Sequence, residues 1–360
     1  MKKELSSYKR IIVFRPGQFG DTIVSFPVFE ALHRLCPRST LVLCANHYAS
    51  GKYVQGADVA SLSPYIQKVV TYNVEDSVIR KFYDLKNKLN VRRDDLLIYL
   101  AYSTTKRRQV IRDWIFFKML NFKNMLCFKE AWNWAYTYKK QPRDLPKESE
   151  RLLGFLRTAG IPVKTPDKCS LNSDDDWARA KWKNWGLSGK RVMAICPGSK
   201  MRNKRWPIDR YIEVGRIWHE YSGMMFVVVG GPEEAELAGK IIEKWPGYGF
   251  SACGATISQT AAVLSMVEGY CGNDTGSMHL AAILGVPCVA VFSAREASNL
   301  WYPSGNGHMV LRKDVKCQNC NLYECDNDPP YCLDIISVNE VVDALKGLYP
   351  NTIVGMKKTD

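Results

Sequence analysis

The strongest constraint on this chain is an order that recurs along it. A short apolar run comes first, then a turn rich in Gly, Pro, Asn or Asp, then a helical stretch. That alternation is the signature of βαβ units, whose crossover helices force the strands to run parallel. In the first half, Arg10–Phe14 is predicted as a strand, Arg15-Pro16-Gly17-Gln18-Phe19-Gly20 as the turn, and Asp21–Leu35 as a helix. Thr40–Cys44, Lys68–Tyr72 and Asp95–Leu100 follow as strands. The pattern restarts at Arg191–Cys196, with a helix over Ile208–Tyr221. Met224–Val229 is the next strand, and Glu233–Lys244 and Ser258–Val267 are helices. Gly269–Gly272, Ser277–Leu284 and Pro287–Phe292 close the series as strand, helix and strand.

At 360 residues the chain is long enough for two domains, each with a core of its own. A stretch rich in Pro, Lys and acidic residues, Pro142–Ser173, approaches the boundary, which is expected between a domain 1–170 and a domain 171–360. The expected architecture is α/β, two Rossmann-like domains facing a central cleft.

Charge is divided unevenly between these halves. Residues 1–165 hold 29 Lys and Arg against 14 Asp and Glu, whereas the remainder holds 21 against 22. An excess confined to one half predicts an anionic partner for that half alone. Nothing in Met1–Ser7 resembles a signal peptide, and no window approaches the roughly 20 apolar residues of a spanning helix. A cytoplasmic location is therefore expected. Eight of the twelve cysteines lie in apolar runs, Cys36, Cys44, Cys196, Cys271 and Cys288 among them, as buried free thiols would.

Several loops at strand ends carry candidate chemistry. Gly17-Gln18-Phe19-Gly20-Asp21-Thr22 lacks the dinucleotide-binding spacing, which disfavours nicotinamide and flavin cofactors. Asp21 sits where α/β sheets place their ligand crevices, and it equally suits a helix cap. Asn273-Asp274-Thr275-Gly276-Ser277-Met278-His279 opens a helix whose unpaired N–H groups suit a phosphate, or simply form a capped helix with an inward His. Pro197-Gly198-Ser199-Lys200-Met201-Arg202-Asn203-Lys204-Arg205-Trp206-Pro207 carries four basic residues that suit a diphosphate, or form a solvated charge run. Gly230-Gly231-Pro232-Glu233-Glu234 adds carboxylates able to accept bonds from ribose hydroxyls.

Taken together, in this order and spacing, these motifs resemble glycosyltransferase family 9, the heptosyltransferase family, across nearly the whole chain. The resemblance rests on Arg15…Gly20-Asp21 with Pro27 in its helix, Pro197-Gly198…Lys204-Arg205-Trp206-Pro207, Gly230-Gly231-Pro232, and Asn273-Asp274-Thr275-Gly276…His279-Leu280-Ala281-Ala282. It implies a GT-B fold with an acceptor in the N-terminal domain and a nucleotide-sugar donor, usually ADP-heptose, in the C-terminal domain. It also implies inversion at the sugar and no cofactor or metal for catalysis. Carried over by motif, Asp21 is the general base, beside Gly20 on the acceptor side, and Lys204 stabilises the departing diphosphate. Ser199, Asp274, Thr275, Gly276 and His279 then bind the donor, with Glu234 on its ribose. Another nucleotide-activated sugar, a protein side chain as acceptor, and a non-catalytic sugar-nucleotide or glycan-binding module are the alternatives.

Two segments stand apart. Residues 106–140 carry nine Lys and Arg against two acids, interleaved with aromatics from Trp114 to Tyr138. This pattern suits an acidic glycolipid acceptor at the inner face of the cytoplasmic membrane, or a helix pair packing its aromatics inward. Lys106, Arg107, Arg108 and Arg112 are the candidate acceptor contacts, and with no nucleic-acid module recognisable, no nucleic-acid partner is expected. Near the C-terminus, Cys317, Cys320, Cys325 and Cys332 fall within sixteen residues. The opening CxxC suits a structural zinc, although the span is short for one, and reduced thiols closing a loop fit equally.

Overall fold

The computed structural model describes residues 4–48, 56–140 and 145–350, so part of the linker stretch, 142–144, lies outside the described residues. The chain divides into two compact units, the first ending at Asn172 and the second beginning at Ser173.

The first unit is built on five parallel strands: β1 (Arg10–Phe14), β2 (Thr40–His47), β3 (Lys68–Asn73), β4 (Asp95–Tyr99) and β5 (Asn124–Leu126). Their order is β3-β2-β1-β4-β5. Helices α1 (Phe19–Ile23), α2 (Phe26–Leu35) and α3 (Gly56–Ala60) come early in the unit; α4 (Val78–Leu89), α5 (Arg107–Met119), α6 (Phe128–Lys139) and α7 (Glu148–Thr158) follow. The expected single helix Asp21–Leu35 is broken in two. Pro27 has no N–H to return to Ile23, so the helix stops and restarts with Pro27 in its first turn. Asp21 consequently lies in a five-residue helix at the sheet edge rather than at the head of a long one.

The second unit carries six parallel strands: β6 (Val192–Cys196), β7 (Met225–Val228), β8 (Gly249–Ser251), β9 (Gly269–Asn273), β10 (Cys288–Phe292) and β11 (Met309–Arg312). Their order is β11-β10-β9-β6-β7-β8. Helices α8 (Asp175–Asn184), α9 (Ile208–Ser222), α10 (Ala235–Glu243), α11 (Ile257–Ser265), α12 (Gly276–Ile283), α13 (Tyr331–Asp334) and α14 (Val338–Leu348) complete it. Central strands β1, β4, β6, β9 and β10 are mostly buried and, apart from Arg10, Asp95 and Asn273 at their ends, carry no charged or amide side chain, because both faces are covered. The core of the second unit gathers Met193, Ile195, Phe226 and Val228 under Trp206, Trp218 and Trp245. Edge strands β5, β8 and β11 are short, and their side chains are not distinctive enough to be predicted from sequence.

In both sheets the chain reverses direction of travel beside the first strand, between β1 and β4 and between β6 and β9. At such points the following loops diverge and open a crevice at the carboxyl ends of the strands. Every candidate catalytic or donor-binding loop is attached to one of these two points or to the adjacent strand β7.

Candidate active site

In the first unit the site begins with Arg15, which is fully buried just past β1. Its Nε donates to the backbone carbonyl of Asp21 at 3.1 Å, and its Nη2 lies 3.8 Å from the Asp21 carboxylate. The same nitrogen is 3.1 Å from Glu148, which Arg151 grips from the other side at 2.6 Å. A buried arginine–glutamate–arginine chain therefore ends on Asp21. The carboxylate also accepts the backbone N–H of Gln18 at 3.0 Å, so the capping role is present too. Gly17 sits at φ +153°, and a Cβ there would lie 2.2 Å from the Asp21 Cβ. Only glycine lets the turn pass this close beneath the carboxylate. Tyr102, past β4, has its phenol pushed up by burial and by the nearby Asp21 and Tyr48, which keeps it a neutral O–H.

In the second unit the loop after β6 meets the loop after β9. Lys204 Nζ donates to Asp274 at 2.6 Å and to Glu296 at 3.2 Å. Burial alone would lower the Lys204 pKa, but Asp274 and Glu296 hold it above the ordinary lysine value, so the ammonium is charged at neutral pH. Trp206, fully buried, anchors the loop by donating Nε1 to the carbonyl of Ile336 at 3.1 Å. Asn273 ties the two loops: its amide oxygen accepts the N–H of Trp206 and the hydroxyl of Tyr211, and its nitrogen donates to the carbonyl of Pro197. Arg205 reaches back to the carbonyl of Ser199.

Thr275 precedes α12, which starts at Gly276 and aims its first N–H groups out of the sheet edge. The hydroxyls of Thr275, Ser277 and Tyr270 form a connected set, with Thr275 and Ser277 2.8 Å apart. His279 is buried one turn in, its ring edge toward Trp301. Glu234 lies against Gly198, where a Cβ would come within 2.4 Å of the Glu234 Cγ. Burial and the neighbouring Glu233 raise the Glu234 pKa, against the opposing pull of the Gly231 N–H and Arg205. Ser199, Lys204, Glu234, Asp274 and Thr275 thus sit in the connections after the strands at one sheet edge, with Gly276 opening α12 there.

The basic residues of α5 are placed differently from one another. Since Phe14 of β1 pairs in register with Tyr99 of β4, α5 starts at the same edge as Asp21 and Gly20. Lys106 caps the helix and Arg108 is exposed. Arg107 is stacked over Trp132 and Tyr136 at 4.7 and 4.9 Å, and Arg112 pairs with Asp113 at 2.7 Å. Of the interleaved aromatics, Phe117, Phe122 and Trp134 pack inward, while Trp114 and Tyr136 face out. The segment is therefore partly core and partly surface.

The sequence profile of glycosyltransferase family 9 (heptosyltransferase) matches residues 138–330, more than half of the chain. The chain belongs to glycosyltransferase family 9. Lipooligosaccharide heptosyltransferase 2 of Haemophilus ducreyi is 20% identical over 300 residues, covering 77% of this chain and 81% of that protein. Its counterpart in Campylobacter jejuni is 22% identical over 170 residues, 46% of this chain, and the match spans about half of that relative's length (53%). Among solved structures, a family 9 glycosyltransferase from Veillonella parvula superposes with a TM-score of 0.69 at 19% identity, covering 96% of this chain and 98% of that one. ADP-heptose lipopolysaccharide heptosyltransferase II of E. coli gives 0.62 at 18% identity, covering 94% and 98%. The fold is GT-B.

In this family 9 chain the four clustered cysteines do not assemble as expected for zinc. Cys317 and Cys320 are exposed, and among the described residues no group of three or more His, Cys, Asp or Glu side chains is placed to hold a metal ion. Cys332 instead accepts the backbone N–H of Ala294 at 3.3 Å. The segment braces the loops after β10 and β6: Asn319 and Asn321 donate to the carbonyls of Ala294 and Arg295, and Asn203 donates to the carbonyl of Leu322.

Glu296, Asn273 and the Glu148–Arg151 pair touch the candidate residues or their loops, and the sequence alone does not single them out. Asn273 stands inside a recognisable motif, but its role appears only once β6 and β9 are neighbours. Glu296 lies 92 positions from Lys204, and Glu148, although one turn from Arg151, lies far along the chain from Arg15, so no local pattern marks either contact.

Proposed function

We propose that this chain is an inverting, metal-independent glycosyltransferase that moves a heptose from ADP-heptose to a lipopolysaccharide-type core glycolipid. The first unit binds the acceptor at the inner face of the cytoplasmic membrane and the second binds the donor. Asp21 takes the proton of the acceptor hydroxyl as that oxygen attacks the anomeric carbon. The bond from that carbon to the diphosphate breaks on the opposite face, which inverts the centre and leaves ADP as a free anion. Lys204 and the N–H groups opening α12 receive the negative charge that develops on the leaving oxygen. Asp274 orients Lys204 and accepts bonds from sugar hydroxyls, and Glu234 accepts from the ribose.

The observation that carries this reading is the Lys204–Asp274 pair at the β6/β9 crevice, with its ammonium kept charged. Family membership and the names of the relatives, both heptosyltransferases, support heptose as the sugar. A calorimetric panel of ADP-, UDP-, GDP- and CMP-sugars tests the donor; tightest binding by a sugar with another base overturns the ADP assignment. Transfer assayed with Asp21→Ala tests the chemistry. Loss of transfer with donor binding kept is expected, and a rate equal to wild type overturns the mechanism.

A further inference from the structure

The first unit exposes an apolar ridge that neither its core nor the candidate site uses. Helix α4 presents Val78, Ile79 and Tyr83, and α5 presents Ile111, Ile115 and Met119, with Ile79 71% and Met119 63% exposed. Ile79 and Tyr83 are four apart, with Val78 beside them, and Ile111, Ile115 and Met119 are four apart, so each helix carries an outward stripe. The two stripes belong to a single face, because Phe82 of α4 and Phe116 of α5 meet edge-on between them at 6.1 Å. Trp114 stands beside the α5 stripe with the Lys118 ammonium 5.7 Å from its ring. Contiguous apolar surface of this kind marks an interaction site.

Charge indicates what it meets. The two helices carry eight Lys and Arg against two Asp. The acids are both engaged: Asp84 with Lys88 at 2.7 Å, and Asp113 with Arg112 and the Tyr99 hydroxyl. Lys86, Arg108 and Lys118 therefore rim the stripe with excess positive charge, and Arg80 joins them while also lying 3.6 Å from Asp76. A second copy docked face to face would set this rim against itself. Nucleic acid would find aliphatic Ile, Val and Met where stacking rings are needed. Aliphatic side chains, a Trp at the margin and a cationic rim together fit the headgroup boundary of an anionic bilayer.

We propose that the α4–α5 face is a membrane-docking surface that lies flat on anionic phospholipid. It deepens the reading above, since α5 begins at the sheet edge that holds Asp21, so a bilayer under this face would present a lipid-linked acceptor to that edge. The bilayer buries Ile79, Tyr83, Ile115 and Met119 to the depth of the acyl boundary, while the rim pairs with lipid phosphates.

Vesicle co-sedimentation of the full chain, without donor or acceptor, tests this. Wild type is expected to bind vesicles of phosphatidylglycerol and phosphatidylethanolamine, to ignore pure phosphatidylcholine, and to release as salt rises. The triple variant Ile79→Ser, Ile115→Ser, Met119→Ser is expected to lose about ten-fold or more in partitioning. Arg80→Glu with Lys118→Glu is expected to lose a similar factor. Both variants should keep wild-type affinity for the ADP-sugar, which separates failure of this proposal from failure of the transferase reading. Equal vesicle binding by wild type and the triple variant overturns it. So does a wild-type dimer in sedimentation velocity that the triple variant makes monomeric, with no vesicle binding by either.

Discussion

Lys204 Nζ lies 2.6 Å from the Asp274 carboxylate although the two residues are 70 positions apart. The pair exists because β6 and β9 are neighbours at the point where the sheet's order reverses. Both side chains are nearly buried, so removing either charge leaves the other poorly solvated. Lys204→Met is expected to lower turnover about 10²–10³-fold, the usual cost of a lost leaving-group or oxyanion contact. Asp274→Asn and Lys204→Met should each lower Tm, and the double variant should recover part of that loss. A double variant whose loss equals the sum of the singles would show that the pair is not coupled.

Gly17 makes a second, independent handle on the proposed base. Alanine there must move either the turn or Asp21, given the 2.2 Å approach. Gly17→Ala is expected to cut kcat at least about ten-fold, since small misplacements of a reacting group are costly. Donor affinity, which we propose is set in the other unit, should be unchanged by calorimetry.

Glu234 supplies a pH signature. Its carboxyl is held above the ordinary range by burial and Glu233, so it takes up a proton earlier than a solvated Glu as pH falls. A protonated carboxyl is a weaker acceptor for ribose hydroxyls. Donor Kd is therefore expected to rise on acidification beginning above the usual glutamate range, and Glu234→Gln should flatten that dependence in calorimetry run across pH.

Trp206 links the loop that carries Lys204 to the core. Trp206→Ala removes a fully buried ring and its bond to Ile336, at a cost of about 3–5 kcal/mol. Thermal unfolding should show a clear drop in Tm, and Trp206→Phe should show a smaller one.

Among the basic residues of α5, the structure separates two roles. Charge reversal at Lys106 and Arg108 is expected to raise the acceptor KM several-fold and leave Tm within about 1 °C, as exposed substitutions do. Reversal at Arg107 should also lower Tm, because its guanidinium is stacked on Trp132 and Tyr136.

Much of the molecule is legible in its amino-acid order. The parallel-sheet class follows from apolar runs followed by helices. Gly17, Gly198 and Asp274 are visible at strand ends because their loops carry glycine, proline and capping residues in fixed local spacing. The break before Pro27 is also written in the sequence, although helical periodicity alone carries Asp21–Leu35 straight across it. The cysteines stay ambiguous in the sequence, since their spacing suits a metal knuckle and a loop of reduced thiols alike.

What the sequence by itself determined is therefore local: which runs are strands, where their loops turn, which side chains at those turns carry a proton or a charge, and that the excess positive charge lies in the first half. Only the tertiary structure decided which loops meet. Strand order placed Lys204 beside Asp274 and Glu296, and packing led the Arg151–Glu148–Arg15 chain to Asp21. The same packing set the stripes of α4 and α5 side by side on one face. Helical and strand periods reach only a few residues along the chain. Neighbours across a sheet are chosen by burial and register over the whole domain, and no local pattern records that choice.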